Sequence, residues 1–310
     1  MSSEEQVIAA ADVGTNTVKI SIARVEPDGT ITDLEEGAET IRLGAGIERS
    51  GRIAAERVDQ CLAVLRDYEQ RGRAHGASAF IGVATEALRV ASNGPDLMAR
   101  IREETGWRIK TISGGEEAHL TFAGLRDRVP ASGRSMIVDV GGGSTEVIRI
   151  ENGSMFGRVS LPIGSGRLAD RFFAADPPGE AAISRATDAA SSDIAASPDI
   201  WDEADHMFFS GGNGMFLDEL MRQLFPDAPF DESTLGRLLD HLARTPAEDA
   251  ARRLSIAHER ARVLPAGGAV ARAFLRRSDV GDAAAVPSGI RIGLIRDYLG
   301  QHGDAAPAAT

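Results

Sequence analysis

The 310-residue chain contains little cysteine, little lysine and no long apolar run. Its single cysteine, Cys61, excludes an internal disulfide and any metal site built from several cysteines. No apolar stretch approaches the ~20 residues that a membrane-spanning helix needs, so we expect no contact with a membrane. The first residues, MSSEEQ, lack the basic and then apolar pattern of a secretory signal, and we expect a cytoplasmic protein.

Positive charge is also scarce. Lysine occurs only at Lys19 and Lys110, and 34 basic residues face 46 acidic residues, which gives a formal net charge of −12. Broad binding to nucleic acid needs a cationic surface that displaces counterions, so we expect no nucleic-acid partner. A small phosphate-bearing ligand stays possible, because it needs only a local group of arginines, amides or a metal ion.

What the sequence does contain, at 43% hydrophobic residues, is enough apolar material for two domains of ordinary size. The first 112 residues predict a β-meander followed by alternating helices and strands, which is typical of an α/β domain. The predicted elements are strands in VIAAAD and VKISIARV, a helix over 54–73, the strand AFIGVAT, a helix over 93–106 and the strand WRIKTI.

The opening pattern occurs twice. Asp12-Val13-Gly14 and Asp139-Val140-Gly141 stand 127 residues apart, each at the end of an apolar strand and before an alternating strand. This internal repeat predicts two homologous lobes over 1–125 and 126–290. We also expect a helix at about 291–303 that packs back on the first lobe and a disordered tail over 304–310. If the repeated lobes face each other, the two turns flank one cleft.

The glycine run in IVDVGGGSTEVIRI resembles a nucleotide-binding loop at first sight. Dinucleotide and P-loop motifs require the glycines to open a helix, whereas TEVIRI alternates as a strand, so both of those interpretations fail. A plain hairpin and a hairpin whose amides bind an anion stay open. SGGNG at 210–214 and PAGG at 265–268 predict further glycine turns.

Several acidic residues stand next to the predicted turns or at the start of a predicted helix. Asp12 and Asp139 end their strands, where each either caps its own turn or meets a divalent ion. Glu146 is either a third acid at the same place or an exposed strand residue. Ser113 and Glu116 have capping-box spacing, so Glu116 is expected to fold back on the start of a helix.

The neighbouring Glu117 is not needed for that cap. Consecutive helical residues point about 100° apart, so Glu117 can project elsewhere and act as a general base, or it is a surface glutamate of the first turn. Arg89 follows the strand AFIGVAT and lies near the end of that strand, as a phosphate ligand or in a surface salt bridge.

Seven segments together resemble successive motifs of the exopolyphosphatase and guanosine pentaphosphate phosphohydrolase family. They occur in order from about residue 7 to about residue 295: VIAAADVGTNTVKISIARV, GVATEALR, ISGGEEAHLTFAG, MIVDVGGGSTEVI, SLPIGSGRL, LPAGGAV and SGIRIGL. The resemblance implies the two-lobed fold of actin, Hsp70 and sugar kinases, with duplicated ribonuclease H-like α/β domains and a cleft between them.

By position, the resemblance implies that Glu117 is the catalytic base for a water molecule. It implies phosphate contacts from two loops and one arginine: Gly14, Thr15, Asn16, Thr17, Arg89, Gly141, Gly142, Gly143, Ser144 and Thr145. It implies Mg²⁺, or Mn²⁺, held by Asp139, Glu146 and Asp12. A homodimer is expected on the same ground.

The implied activity is release of orthophosphate from the end of inorganic polyphosphate, with a preference for short chains since this sequence resembles the short members of the family. A phosphorylated guanosine nucleotide is the alternative substrate. A sugar or acetate kinase is a further alternative, but no acceptor site is recognisable. Asn213-Gly214 and Ile292 stand where the family usually has Gly-Thr and Glu, and these departures make a non-catalytic phosphate sensor the third alternative.

Overall fold

The computed structural model describes residues 5–197, 203–278, 280 and 283–302. The predicted tail at 304–310 lies outside these residues. The chain divides into two compact units. Unit 1 contains the described residues of Met1–Leu43, Ile47–Leu125 and Gly289–Thr310, and unit 2 contains those of Gly44–Gly46 and Arg126–Ser288.

Strands and helices alternate along most of the chain, as the sequence predicts. The strands are β1 (Gln6–Val13), β2 (Thr17–Val25), β3 (Ile31–Thr40), β4 (Ala79–Ala84), β5 (Arg108–Thr111), β6 (Arg134–Val140), β7 (Thr145–Glu151), β8 (Ser154–Leu161), β9 (His206–Ser210) and β10 (Ala283–Val286). The first six helices are α1 (Ile47–Ser50), α2 (Ala55–Ala74), α3 (Glu86–Val90), α4 (Gly94–Glu104), α5 (Gly114–Leu125) and α6 (Ser165–Phe172). The others are α7 (Glu180–Ala195), α8 (Gly211–Leu224), α9 (Glu232–Leu242), α10 (Ala247–Leu254), α11 (His258–Arg277) and α12 (Ile290–His302).

The two units contain sheets of the same topology. The order is β3-β2-β1-β4-β5 in unit 1 and β8-β7-β6-β9-β10 in unit 2. In each sheet the first hairpin is antiparallel and the two later strands run parallel to the first strand. The repeat predicted from Asp12 and Asp139 is therefore a repeat of whole sheets.

The continuous apolar run of β1 is explained by burial on both faces. Ala9 and Ala11 belong to a core cluster that also contains residues of α2 and α4, whereas Ile8 and Ala10 belong to a cluster with residues of α12. The sequence of a central strand that is covered on both faces is a continuous apolar run without alternation. Both clusters lie within unit 1, which positions the end of β1 rigidly.

The predicted turns at 210–214 and 265–268 are wrong, because both glycine segments are helical. Gly211 begins α8 directly after β9, and PAGG lies inside α11. Gly267 is pressed against Asn213, whose Oδ1 would lie 2.5 Å from a Cβ on that glycine, and Gly214 lies against the carbonyl of Phe209. These glycines serve close packing between elements rather than chain reversal.

The final helix belongs to unit 1. α12 packs on α5 and β1. Gly293 lies against the carbonyl of Leu120, and Gly289 lies against that of Thr121, so no side chain fits at either position. Close helix crossing of this kind requires small residues at the contact. Within the described residues, no helix is long and apolar enough to cross a bilayer.

Candidate active site

In unit 1, the predicted residues 14–17 form one tight turn at the end of β1. The amide of Gly14 donates to the carbonyl of Thr17 over 3.1 Å, and a Cβ on Gly14 would lie 2.8 Å from that oxygen. Glycine is required there because any side chain would meet backbone. Asn16 and Thr17 are buried and Thr15 is half-buried, so the turn is fixed against the sheet.

Asp12 has a cationic neighbour in the same sheet. It is 4% exposed and lies opposite Lys19 in the β1–β2 ladder, with 3.8 Å between Lys19 Nζ and Asp12 Oδ2. Side chains directly opposite each other on an antiparallel pair share one face of the sheet. The ammonium group therefore compensates the buried carboxylate.

The predicted capping box at the start of α5 is confirmed. Glu116 Oε2 accepts hydrogen bonds from the amide and the hydroxyl of Ser113, each at 2.8 Å, and Ser113 Oγ accepts from the amide of Glu116 at 3.2 Å. This reciprocal arrangement satisfies donors that a helix start leaves open. Glu116 is thus committed to the helix end.

Glu117 is buried at 7% exposure, so the interpretation of a surface glutamate is wrong. Its Oε2 lies 3.9 Å from Nη1 of Arg89, and the same Nη1 donates to the carbonyl of Ile112 over 2.6 Å. That carbonyl follows β5 and holds the guanidinium beside the carboxylate. The first turn of α5 and the segment after β4 therefore bring the predicted base and the predicted phosphate arginine together.

In unit 2, the loop after β6 repeats the turn of unit 1. The amide of Gly141 donates to the carbonyl of Ser144 over 2.9 Å, and a Cβ on Gly141 would lie 2.9 Å from that oxygen. Gly143 and Ser144 are buried, while Gly141 and Gly142 are half-buried. The strand β7 follows directly, which confirms that this glycine run belongs to a hairpin.

The start of α6 braces this loop. Backbone amides of residues 165–167 donate to the carbonyls of Gly141 and Gly142 at 2.8–3.0 Å. In the described part of the chain, the amides of Gly142 and Gly143 donate no hydrogen bond. The loop is therefore held through its carbonyls, and the N–H groups of Gly142 and Gly143 have no acceptor among the described residues.

Thr145 differs from the other predicted phosphate ligands. It is fully buried, and its hydroxyl donates to the carbonyl of Ile163 over 2.7 Å. That hydrogen bond ties β7 to the segment before α6. The side chain of Thr145 therefore holds the loop in place, and its phosphate contact stays a prediction.

Two carboxylates lie side by side at the end of the second sheet. Asp139 and Glu146 are opposite each other in the β6–β7 ladder and are only 7% and 1% exposed. The interpretation of Glu146 as an exposed strand residue is therefore wrong. Ser160 donates to Glu146 Oε1 at 2.7 Å, and Ser210 donates to Asp139 Oδ2 at 3.3 Å. Like charges opposite each other destabilise a sheet unless a cation compensates them.

Arg260 of α11 supplies positive charge near this pair. Burial lowers the pKa of Arg260 to about 10, and the nearby charge of Asp139 opposes the shift. The guanidinium carbon lies 5.4 Å from the ring centroid of Phe216, and a side chain on Gly212 would collide with the guanidinium. The bare backbone at the start of α8 therefore makes room for an arginine beside Asp139.

Asn213, one of the two departures from the motifs of the family that the sequence resembles, has a structural role. Its side-chain amide is 4% exposed and donates to the carbonyl of Val140 at 2.5 Å and to Ser165 Oγ at 3.3 Å. One side chain thus joins the end of β6, the start of α6 and the start of α8. The other departure, Ile292, is a half-buried residue of α12.

The donors at the second sheet suit a hard divalent cation. In the part of the chain that the structure describes, no group of three or more His, Cys, Asp or Glu side chains is placed to hold a metal ion. Asp139 and Glu146 nevertheless form a buried pair of carboxylates next to hydroxyl oxygens. Oxygen ligands that leave room for water are typical of Mg²⁺ sites. The residues present therefore fit the predicted metal through a carboxylate pair.

Five residues of these sites were not predicted from the sequence: Lys19, Ser160, Ser210, Asn213 and Arg260. Lys19 carried a usable signal, because it stands 127 residues before Glu146, the same spacing that relates Asp12 to Asp139. Ser210 and Asn213 were not recognised as site residues, because SGGNG was interpreted as a turn. Arg260 is one of many arginines, and only the packing of α11 brings it to Asp139.

Comparison with known proteins agrees with the resemblance found in the sequence motifs. The model of a family described as the Ppx/GppA phosphatase family matches residues 21–302, which confirms the resemblance found in the motifs. Exopolyphosphatase 1 of Mycobacterium tuberculosis is 27% identical over 307 residues, which span 96% of this chain and 89% of that protein. Exopolyphosphatase 2 of the same organism is 33% identical over 180 residues, 55% of this chain and 56% of that protein.

Solved structures share the fold. An exopolyphosphatase from Cytophaga hutchinsonii has a TM-score of 0.83 at 23% identity and covers 96% of this chain and 98% of its own. A Ppx/GppA family member from Aquifex aeolicus has a TM-score of 0.77 at 23% identity and covers 97% and 100%. With the two repeated five-stranded sheets, this likeness confirms the predicted duplicated α/β fold.

Proposed function

Because the chain belongs to the Ppx/GppA phosphatase family, we propose that it releases orthophosphate from the end of inorganic polyphosphate. Membership of this family makes the chain a hydrolase of phosphoanhydride bonds, as the sequence predicts. The relatives from Mycobacterium tuberculosis are both named exopolyphosphatases, and this agreement favours polyphosphate over a guanosine nucleotide as the substrate.

The observation that carries the proposal is the pair of amides at Gly142 and Gly143 that donate to nothing in the described protein. Adjacent backbone N–H groups bind phosphate oxygens well, and the absence of side chains lets the phosphate approach. The loop is braced by α6 and by Asn213, so its dipoles are fixed before the substrate arrives. Fixed dipoles of this kind stabilise charge that develops on phosphate during hydrolysis.

Glu117 is proposed as the general base that removes a proton from the attacking water. The carboxylate is buried, and Arg89 compensates its charge at 3.9 Å. A base acts well when it is held in one orientation, and the neighbouring cap at Glu116 fixes the first turn of α5. Arg89 keeps further N–H groups that can donate to a phosphate oxygen.

Asp139 and Glu146 are proposed to hold Mg²⁺. When bound, the ion would neutralise phosphate oxygens and so favour attack by water. Asp12 was also predicted as a metal ligand, and it already faces Lys19. We therefore give the carboxylate pair of unit 2 the main part in metal binding, and the role of Asp12 stays a prediction.

One assay tests the proposal. Phosphate release is measured from short polyphosphate, long polyphosphate and guanosine pentaphosphate, with and without Mg²⁺, for the wild type and for Glu117→Gln. We expect Mg²⁺-dependent release from polyphosphate that Glu117→Gln lowers by about 10²–10⁴-fold, and the comparison of lengths gives the chain preference. Faster turnover of the nucleotide would contradict the substrate, and binding without any release would favour a sensor.

The cytoplasmic location and the homodimer stay predictions of the sequence. Neither is needed for the proposed reaction, because the residues invoked all belong to one chain.

A further inference from the structure

One row of the second sheet places two acids between two hydroxyls. Asp139 of β6 lies opposite Glu146 of β7. Each acid has a serine on its other side, because Ser210 of β9 is paired with Asp139 and Ser160 of β8 is paired with Glu146. The row across four neighbouring strands is therefore serine, aspartate, glutamate, serine. Paired residues of adjacent strands share one face of a sheet, so the four side chains lie side by side.

Each serine donates a hydrogen bond to the acid beside it. Ser160 Oγ lies 2.7 Å from Glu146 Oε1, and Ser210 Oγ lies 3.3 Å from Asp139 Oδ2. A hydrogen bond to an ionised acceptor is stronger than one between neutral groups. Like charges repel, so the two carboxylates tend to rotate away from each other. The two hydrogen bonds restrict that rotation and hold one oxygen of each acid in place.

The hydroxyl of Ser210 supports Asp139 instead of the helix that it precedes. Ser210 stands at the N-cap position of α8, where a serine usually accepts a hydrogen bond from a helix amide. Among the described residues its side chain makes no such capping bond. Its other acceptor is the carbonyl oxygen of Pro287 at 3.4 Å. The hydroxyl has one proton to donate, and the carboxylate of Asp139 is the stronger acceptor of the two because it is charged.

The equivalent row of unit 1 contains no serine. There Asp12 lies opposite Lys19, and the outer neighbours are Val83 of β4 and Ala38 of β3. The two sheets have the same topology, so formation of the sheet does not require hydroxyls at these outer positions. Serines are present in the row where two acids adjoin, and they are replaced by apolar residues in the row where an acid meets a lysine. Their presence therefore follows the acid pair.

We propose that Ser160 and Ser210 are positioning residues of the metal site, which hold Glu146 and Asp139 in the orientation that accepts Mg²⁺. This inference rests on the proposed function, because it takes the two acids as the metal ligands. Groups that hydrogen-bond to metal ligands orient them, and loss of such a group typically costs about 10–100-fold in metal affinity. Neither serine is required to touch the ion or the substrate. Loss of a hydroxyl should therefore weaken metal binding and leave the chemical step intact once the ion is bound.

A matched pair of variants isolates the hydroxyl of Ser160. Ser160→Thr and Ser160→Val have nearly the same shape and both suit a strand, but only threonine keeps the hydroxyl. Electron paramagnetic resonance of free Mn²⁺ measures metal binding without turnover. Ser160→Val should raise the Kd for Mn²⁺ by at least about tenfold, whereas Ser160→Thr should stay within about threefold of the wild type. Ser154→Ala, which changes an exposed serine of β8, is the control. Equal affinity of Ser160→Thr and Ser160→Val would overturn the role of Ser160.

The second serine and the catalytic rate complete the test. Ser210→Ala should also raise the Kd for Mn²⁺ by at least about tenfold, and its melting temperature shows that it is folded. At saturating Mg²⁺, Ser160→Val and Ser210→Ala should each have a kcat within about threefold of the wild type, because both carboxylates remain. A fall in kcat that added Mg²⁺ does not restore would contradict a positioning role.

Glu146→Gln in the same Mn²⁺ titration distinguishes this inference from the proposed metal site. If Glu146→Gln binds Mn²⁺ as the wild type does, the acid pair is not the metal site, and the metal assignment falls together with this inference. If Glu146→Gln binds weakly while Ser160→Val and Ser210→Ala bind normally, the metal assignment is kept and the positioning role of the serines is wrong.

Discussion

Lys19 lies directly opposite Asp12 on β1 and β2, with 3.8 Å between its Nζ and Asp12 Oδ2. At the equivalent position of the second sheet, Glu146 lies opposite Asp139. The two halves of the repeat have therefore diverged to opposite charge at one rung of the ladder. In unit 1 the chain supplies the cation itself, whereas in unit 2 two buried acids adjoin, with Arg260 nearby and Mg²⁺ as the proposed further cation.

Loss of Glu146 is the direct test of that ion. Glu146→Gln should raise the Mg²⁺ concentration needed for half-maximal phosphate release by at least about tenfold, because one anionic oxygen ligand is removed. The measurement is a Mg²⁺ titration of initial rates. Glu151→Gln, an exposed residue of the same strand, is the control and should titrate like the wild type. An unchanged titration of Glu146→Gln would rule out its part in metal binding.

Glu117→Gln should lower kcat by about 10²–10⁴-fold while leaving polyphosphate binding nearly intact, because an amide cannot accept the proton of water. Initial rates and a direct binding measurement separate the two effects. Glu116→Gln is the matched control, since glutamine also completes a capping box. It should keep most of the activity. Comparable loss in the two variants would mean that Glu117 acts through helix structure and not as a base.

Substitution of Gly164 tests whether the amides of Gly142 and Gly143 bind the substrate. A Cβ at Gly164 would lie 2.6 Å from the carbonyl carbon of Gly142 and 2.6 Å from the amide nitrogen of Gly143. Gly164→Ala should displace these amides and lower kcat/KM for polyphosphate by about 10²-fold. Gly300→Ala, where a Cβ meets no atom within 4 Å, should have no effect. Normal kinetics in Gly164→Ala would exclude the loop amides from substrate binding.

Asn213→Ala should lower the free energy of unfolding by about 1–3 kcal/mol, because it leaves the buried carbonyl of Val140 without its side-chain donor. Urea denaturation followed by circular dichroism measures the change. Gln60→Ala removes an exposed contact of 3.4 Å and should stay near wild type. If Asn213→Ala is as stable as that control, the amide does not hold the three elements together.

Local rules predicted much of the site. The capping box of Ser113 and Glu116 follows from spacing alone, and the repeat at Asp12 and Asp139 follows from two similar strings of residues. Both depend on neighbours in sequence, and this is why they could be predicted. The internal repeat also predicted the common topology of the two sheets.

Contacts between distant segments could not be predicted in this way. Arg260 lies near Asp139 only because α11 packs against β6. The glycines of SGGNG and PAGG are explained by the atoms packed against them, not by a change of chain direction. Burial likewise excluded the surface interpretations of Glu117 and Glu146. A sequence pattern gives the chemistry of a side chain but not its depth in the core.

The placement of α12 in unit 1 has a consequence for how the protein is made. The ribosome synthesises all of unit 2 before it reaches Gly289. The surface of α5 that packs against α12 is therefore uncovered during that time. Leu294 and Ile295 then complete a core whose other members were made long before. Unit 2 is therefore expected to acquire protease resistance on the nascent chain while unit 1, though synthesised first, matures last.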